Sequence, residues 1–291
     1  MRFRAIRRPL ICSPVARQLL EGRRRGLRSV RTSLDLGRSY VEVELLEHGI
    51  RYGDVELSWN NVSIAYSRER DIYMIEGGEL VPLSIASEHF YKLVLVKWGK
   101  PPTLEIDGIH MHRVLDVTPD VDSEMKVALL GSLMCERVLD VCTGLGYTAI
   151  AALRRGACST LTIEKDENVL RLAALNPWSR ELEDDRVELV LGDAFEVVEE
   201  FENEFDAVIH DPPRMPLAGS LYSLKFYMKL ARALKAGGRI AHYVGQPGIH
   251  AGRKMWKGVL ERLRRAGFDA SYDERSRCLY GRKQSTTLER S

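Results

Sequence analysis

The stretch "VIHDPPRMPLAG", Val208 to Gly219, joins an apolar run to an acid, two prolines and Arg214. The run reads as a buried strand that stops at Asp211. Pro212 and Pro213 fix φ, so the loop that follows is stiff and its acceptors stay in place. The Asp211 carboxylate and the Pro212 carbonyl can together accept the N–H bonds of an amine and turn its lone pair toward an electrophilic carbon. Positioning of this kind contributes several kcal/mol, about 7–11 in the best small-molecule systems. Three more acids close apolar runs in the same way: Asp140 in "ERVLDVCTGLGY", Glu164 in "STLTIEKD" and Asp193 in "RVELVLGD". Four acids at successive strand ends form a pattern that no single one of them makes.

Those acids need a scaffold. From about residue 113 the chain alternates short apolar strands with helices: "YTAIAALRRG", "ENVLRLAALNP", "AFEVVEEF", "SLKFYMKLARALKAGG" and "RKMWKGVLERLRRAGF". Gly156, Asn176-Pro177 and Gly237-Gly238 read as the stops of three of them. Such alternation predicts an α/β fold, a Rossmann-like, doubly wound, mostly parallel sheet. In that fold ligands bind beyond the carboxyl ends of the strands, where the four acids lie. Gly144 and Gly146 follow Asp140 in a strand–helix turn, but Cys142 stands where a dinucleotide fingerprint has its first glycine. The close approach to a pyrophosphate is therefore incomplete, and a ligand without a diphosphate fits better. Glu164, 24 residues after Asp140, stands where a carboxylate accepts from ribose hydroxyls.

Before this domain, "SYVEVEL", "DVELSW", "DIYMIEGGELVPLSI" and "YKLVLVKWGKPPTLEIDGI" alternate with period two and are separated by glycine and proline turns. They predict a small antiparallel β module. "PVARQLLEGRRR" ahead of it reads as an amphipathic helix with a basic face. The predicted domains are thus residues 1–112, a basic helix and β-rich module, and residues 113–291, the Rossmann-like domain.

Composition sets the outer bounds. No apolar stretch approaches the roughly 20 residues of a membrane span, and the Arg-rich start lacks a signal-peptide core, so a cytoplasmic protein is expected. Five cysteines without C-x-x-C spacing, and seven histidines without H-E-x-x-H, give no metal-site or disulfide framework. The net charge is +2, unevenly spread. Residues 1–31 hold ten Arg against one acid, and residues 251–291 hold eleven Lys/Arg against five acids. The remaining 219 residues carry 22 basic side chains against 35 acids. Basic ends on an acidic body predict a polyanionic partner, with RNA (rRNA or tRNA) the first candidate and no membrane partner.

"VLDVCTGLGY", "TIEKD", "LGDAF", "IHDPP" and "LKAGGRI", in that order over residues 113 to 270, resemble the motifs of class I S-adenosylmethionine-dependent methyltransferases. More narrowly, the chain resembles a group of predicted archaeal methyltransferases with a β-rich N-terminal module. The resemblance implies S-adenosylmethionine as cofactor. It implies Asp140, Cys142, Gly144 and Gly146 along the methionine portion, Glu164 on the ribose, Lys165 beside the adenosine, Asp193 and Ala194 at the adenine edge, and Asp211 facing the methyl group. Asp211-Pro212-Pro213 is similar to the Asp-Pro-Pro-aromatic motif of enzymes that methylate exocyclic base nitrogens. N4 of cytidine in RNA is then the first acceptor and N6 of adenosine the next. Arg214 departs from that motif, whose fourth residue is an aromatic ring that stacks on the flipped base. Tyr222, Phe226, Tyr227 and Tyr243 are candidates for the missing ring, with Arg214, Tyr222 and Tyr243 taken as substrate-binding. His210 and His242 rank below Asp211 as proton acceptors. Methylation of a pyrimidine C5 is disfavoured, because "HYVGQPG" supplies no cysteine nucleophile. Two other classes stay open: an aminopropyltransferase of polyamine synthesis or a methyltransferase of a small amine or protein, and a non-catalytic RNA-binding protein.

Overall fold

The computed structural model describes residues 1–215, 218–245 and 255–284. Of the segments singled out above, parts of the Asp-Pro-Pro loop, of "HYVGQPG" and of the basic C-terminal stretch lie outside the described residues. The chain divides into two compact units, Arg4–Asp120 with Asn168–Arg180, and Met1–Phe3 with Val121–Glu167 and Glu181–Ser291.

The N-terminal unit is built from short antiparallel sheets. β1 (Leu10–Cys12) runs directly into α1 (Ser13–Arg24), which has a proline in its first turn, where a missing N–H costs nothing. α1 buries Val15, Ala16 and Leu19 and leaves Arg17, Arg23 and Arg24 exposed, the amphipathic pattern expected. β2 (Ser29–Thr32), β3 (Val41–Leu45), β4 (Gly49–Tyr52) and β5 (Val55–Ser58) form a four-stranded meander. α2 (Trp59–Ser67) follows, its Ser58 cap accepting from the Asn61 amide. β6 (Ile72–Glu76) pairs with both β1 and β7 (Glu79–Pro82). β8 (Ser84–Ala86), β9 (Phe90–Val94), β10 (Thr103–Ile106) and β11 (Ile109–His110) make a third sheet. The β-rich character is as predicted, spread over three small sheets.

The second unit holds one seven-stranded sheet. Its elements, with two helices that begin or continue outside the unit, are α3 (Pro119–Ala128), β12 (Arg137–Val141), α4 (Tyr147–Arg154), β13 (Ser159–Glu164), α5 (Glu167–Leu175), β14 (Val187–Leu191), α6 (Ala194–Val197), β15 (Phe205–His210), α7 (Leu224–Ala233), β16 (Leu234–Tyr243), α8 (Met255–Arg265), β17 (Phe268–Asp273) and β18 (Cys278–Lys283). Strand order is β14-β13-β12-β15-β16-β18-β17. The first five run parallel, and β18 lies antiparallel between β16 and β17. This is the predicted doubly wound, mostly parallel sheet.

Alternation along each strand assigns its two faces. Leu139, Val141, Val208 and Ile240 pack with Phe226 and Leu230 of α7 and Val259 and Leu263 of α8. Val138, Ala207, Ile209 and Ala241 pack with Val127 of α3 and Ala151 and Ala152 of α4. By the same alternation Asp140 and Asp211 fall on the α3 side, and His210 on the α7 side.

One boundary differs from the sequence expectation. The helix read up to Gly237-Gly238 ends at Ala233, and β16 begins at Leu234. Leu234 is fully buried opposite Phe205, and the register slips between Phe205 and Ala207, so the glycines lie within an irregular strand start instead of closing a helix.

Candidate active site

Asp211 follows β15 directly, and its amide donates to the Val141 carbonyl at 3.2 Å. Both carboxylate oxygens accept from the Lys126 ammonium, at 2.9 and 2.8 Å. Lys126 lies on α3, one turn after Asp122, whose carboxylate is 2.8 Å from the same nitrogen. Lys126 and Asp122 are 3% and 0% exposed, so the ammonium bridges two acids away from solvent. The ammonium also sits over the Tyr243 ring, 4.1 Å from its centroid. Burial alone would pull the Lys126 pKa down. Asp211 and Asp122 reverse that and hold the ammonium charged above its ordinary value. Burial likewise pushes Asp211 up, with Lys126 opposing, and its carboxyl stays above the usual range.

The β12–α4 turn carries the next group. Asp140 is fully buried; its Oδ2 accepts from the Thr162 hydroxyl at 2.7 Å, and Oδ1 has no hydrogen-bond partner among the described residues. Burial pushes its pKa up to about 7. Cys142 adopts φ +71°, the left-handed backbone a glycine would take there, and burial holds its thiol far above the ordinary range. Gly144 (φ +54°) has open space where a Cβ would project, whereas a Cβ on Gly146 (φ +81°) would lie 2.4 Å from the Leu182 side chain. The first glycine opens a cradle and the second lets the turn close on its neighbour.

Glu164 ends β13 with its carboxylate fixed by three amides. Oε2 accepts from Gly144 at 2.9 Å, and Oε1 from Lys165 and Asp166 at 2.9 and 3.0 Å. Oε1 is filled by two donors, and Oε2 keeps one site for a ligand hydroxyl. Burial leaves its pKa raised despite those donors. Asp193 caps α6, accepting from Phe195 at 2.8 Å, and Ala194 is buried in the first turn. An orphaned buried oxygen on Asp140, the open cradle at Gly144 and an oriented Glu164 together fit an S-adenosyl ligand.

The aromatic candidates separate. Tyr222 is buried, and its hydroxyl donates to the Pro213 carbonyl at 3.0 Å, so it braces the Asp-Pro-Pro loop. Tyr243 is spoken for by Lys126. Phe226 and Tyr227 are core side chains. Arg214 is exposed. His210 and His242 are fully buried with rings 4.2 Å apart, and burial drives His242 down to about 3 and His210 also far below the ordinary value. His242 bonds Tyr227 and the His210 carbonyl, each at 3.1 Å. Both rings are held neutral and enclosed, on the face of the sheet opposite Asp211.

Against known proteins, the chain is 43% identical over 264 residues to the uncharacterized protein MJ1233 of Methanocaldococcus jannaschii, covering 89% of each. The chain belongs to the MJ1233 family. Residues 158–273 match the spermine/spermidine synthase domain. Over 189 residues the chain is 27% identical to polyamine aminopropyltransferase 2 of Aquifex aeolicus, spanning 62% of this chain and 38% of that one. A solved spermidine synthase, in complex with the transition state analogue AdoDATO, superposes with a TM-score of 0.56 at 22% identity, over 69% of this chain and 72% of that one. That likeness establishes the fold.

In this MJ1233-family chain, Asp122 and Lys126 escaped the sequence reading. The signal was present: Thr118-Pro119-Asp120 opens a helix in the usual way, and Asp122 and Lys126 stand at i,i+4 on it. Only the fold shows that this helix faces Asp211.

Proposed function

We propose that the chain transfers an aminopropyl group from decarboxylated S-adenosylmethionine to the nitrogen of an aliphatic polyamine. The observation that carries this reading is the gathering of three carboxylates, Asp140, Glu164 and Asp211, at neighbouring strand ends. Asp140 feels the charges of both Asp211 and Glu164, and Asp211 in turn feels Asp122 across Lys126. A pocket so charged favours a cationic acceptor and a donor that has lost its carboxylate. The match of residues 158–273 to the spermine/spermidine synthase domain supports it.

Bound there, the S-adenosyl sulfonium supplies an electrophilic carbon and a leaving group that departs as a neutral thioether. Glu164 holds the ribose, and Asp140, with its free oxygen, takes a donor from the cofactor chain. Asp211, fixed by Lys126, accepts an N–H of the acceptor amine and aims its lone pair. Tyr222 keeps the Asp-Pro-Pro loop stiff.

Asp211-Pro212-Pro213 favours a second reading, methyl transfer from S-adenosylmethionine to a base nitrogen in RNA, with the exposed arginines of α1 as the docking face. The test supplies the purified protein separately with decarboxylated cofactor plus spermidine, and with methyl-labelled S-adenosylmethionine plus total RNA. An aminopropylated amine bears out the first reading, and a labelled nucleoside replaces it with the second. Asp211→Asn should lower either activity at least about 100-fold while leaving cofactor binding intact. Binding of neither cofactor overturns both readings.

A further inference from the structure

The five thiols divide sharply. Cys12 and Cys278 are buried, and burial pushes both up to about 12. Cys142 is half-buried and also held far above its ordinary value, chiefly by burial. Cys135 and Cys158 are exposed. They precede β12 and β13, two parallel strands whose register pairs Arg137 with Ser159. Extended backward, that register sets Glu136 opposite Cys158 and leaves Cys135 one residue out of step, where strict alternation would turn the two side chains to opposite faces; the left-handed backbone of Cys135 breaks that alternation. The backbone keeps the segments together: the Cys135 amide donates to Gly156 at 3.1 Å and the Cys158 amide to Glu136 at 2.9 Å. Cys135 is also one of few non-glycine residues at positive φ (+57°), and its side chain is turned to within hydrogen-bonding reach of the Cys158 thiol.

We propose that Cys135 and Cys158 are a disulfide-forming pair that reversibly ties the start of β12 to the start of β13. The bridge would enclose β12, the Asp140–Gly146 turn and α4, while lying at the opposite ends of the strands from Asp211. A small-molecule disulfide such as oxidised glutathione serves as oxidant. One cysteine thiolate attacks a glutathione sulfur, the S–S bond breaks and one glutathione leaves as thiolate. The second cysteine thiolate then attacks the protein sulfur of the mixed disulfide and releases the other glutathione. The two protein protons pass to the released thiolates, and the two electrons lost by the pair reduce the reagent. The hydrogen bond between the thiols holds Cys158 above its ordinary pKa, so closure should quicken as pH rises above neutral.

The full chain, incubated in glutathione redox buffers, is trapped by alkylation and digested for mass spectrometry without reduction. The expected product is a monomer with a Cys135–Cys158 peptide pair, lost in Cys135→Ser and Cys158→Ser. Oxidation should raise the thermal midpoint by about 5–10 °C, reversibly with dithiothreitol and only in the wild type. Stable glutathione adducts on both cysteines, cross-links between two chains, or prior reaction of Cys12, Cys142 or Cys278 would each overturn the proposal.

Discussion

Lys126 shows how one side chain can hold a site together at the level of single charges. Remove it and Asp122 and Asp211 lose the buried ammonium that lies between them. Lys126→Met should therefore cost about 3–5 kcal/mol at pH 7 in denaturant unfolding. That deficit should shrink as the pH falls and Asp211, whose carboxyl already sits above the usual range, takes up a proton. Asp140 gives the opposite sign. Its folded pKa, near 7, exceeds the ordinary 3.8, so between these values the folded state keeps a proton the unfolded chain has released. Its contribution to stability is lost as pH rises through that window. Thermal midpoints of the wild type and Asp140→Asn should converge near pH 4, with the variant about 5 °C or more higher at pH 8. At this scale the sequence displayed Asp140, Glu164 and Asp211 because each ends an apolar run. It hid Lys126, because a lysine on an amphipathic helix looks like solvent-facing charge until the fold shows what it faces.

Among elements, the β12–α4 turn separates two roles that a glycine motif merges. Gly144→Ala adds a methyl group into open space, and Gly146→Ala drives one into Leu182. The first should weaken cofactor binding at least about tenfold while costing only about 1 kcal/mol for its left-handed backbone, measured by equilibrium dialysis and melting. The second should cost about 1–3 kcal/mol of stability whether or not cofactor is present. The parallel strands were legible because each is a short apolar run closed by an acid or a turn. α2 was not: Trp59–Ser67 mixes β-branched and aromatic residues that favour strands, and only its packing and the Ser58 cap make it helical. The end of α7 was misread because Gly237-Gly238 looks like a helix stop, while the pairing of Leu234 with Phe205 had already begun a strand.

For the whole molecule, the α/β class was visible in the change of rhythm near residue 113, since helix and strand periods differ along the chain. The uneven charge was equally plain, and Arg17, Arg23 and Arg24 on α1 are exposed as it implied. No helix among the described residues is long and apolar enough to cross a membrane. The strand order was beyond reach, because nothing local records that β18 inserts between β16 and β17. A chain ending at Arg277 should fail to give a cooperative melt, since β16 and β17 would each lose their shared partner; an unchanged melt would remove β18 from the core.

That insertion bears on how the protein is made. β17 leaves the ribosome with no neighbour to join, and the sheet acquires its last interior strand only once residues 278–283 have emerged. Until then the edges of β16 and β17 stay unpaired, and a nascent chain is exposed to sticking to another like it. The sheet therefore closes only when both of its last strands are free to pair, whatever the order in which the helices form.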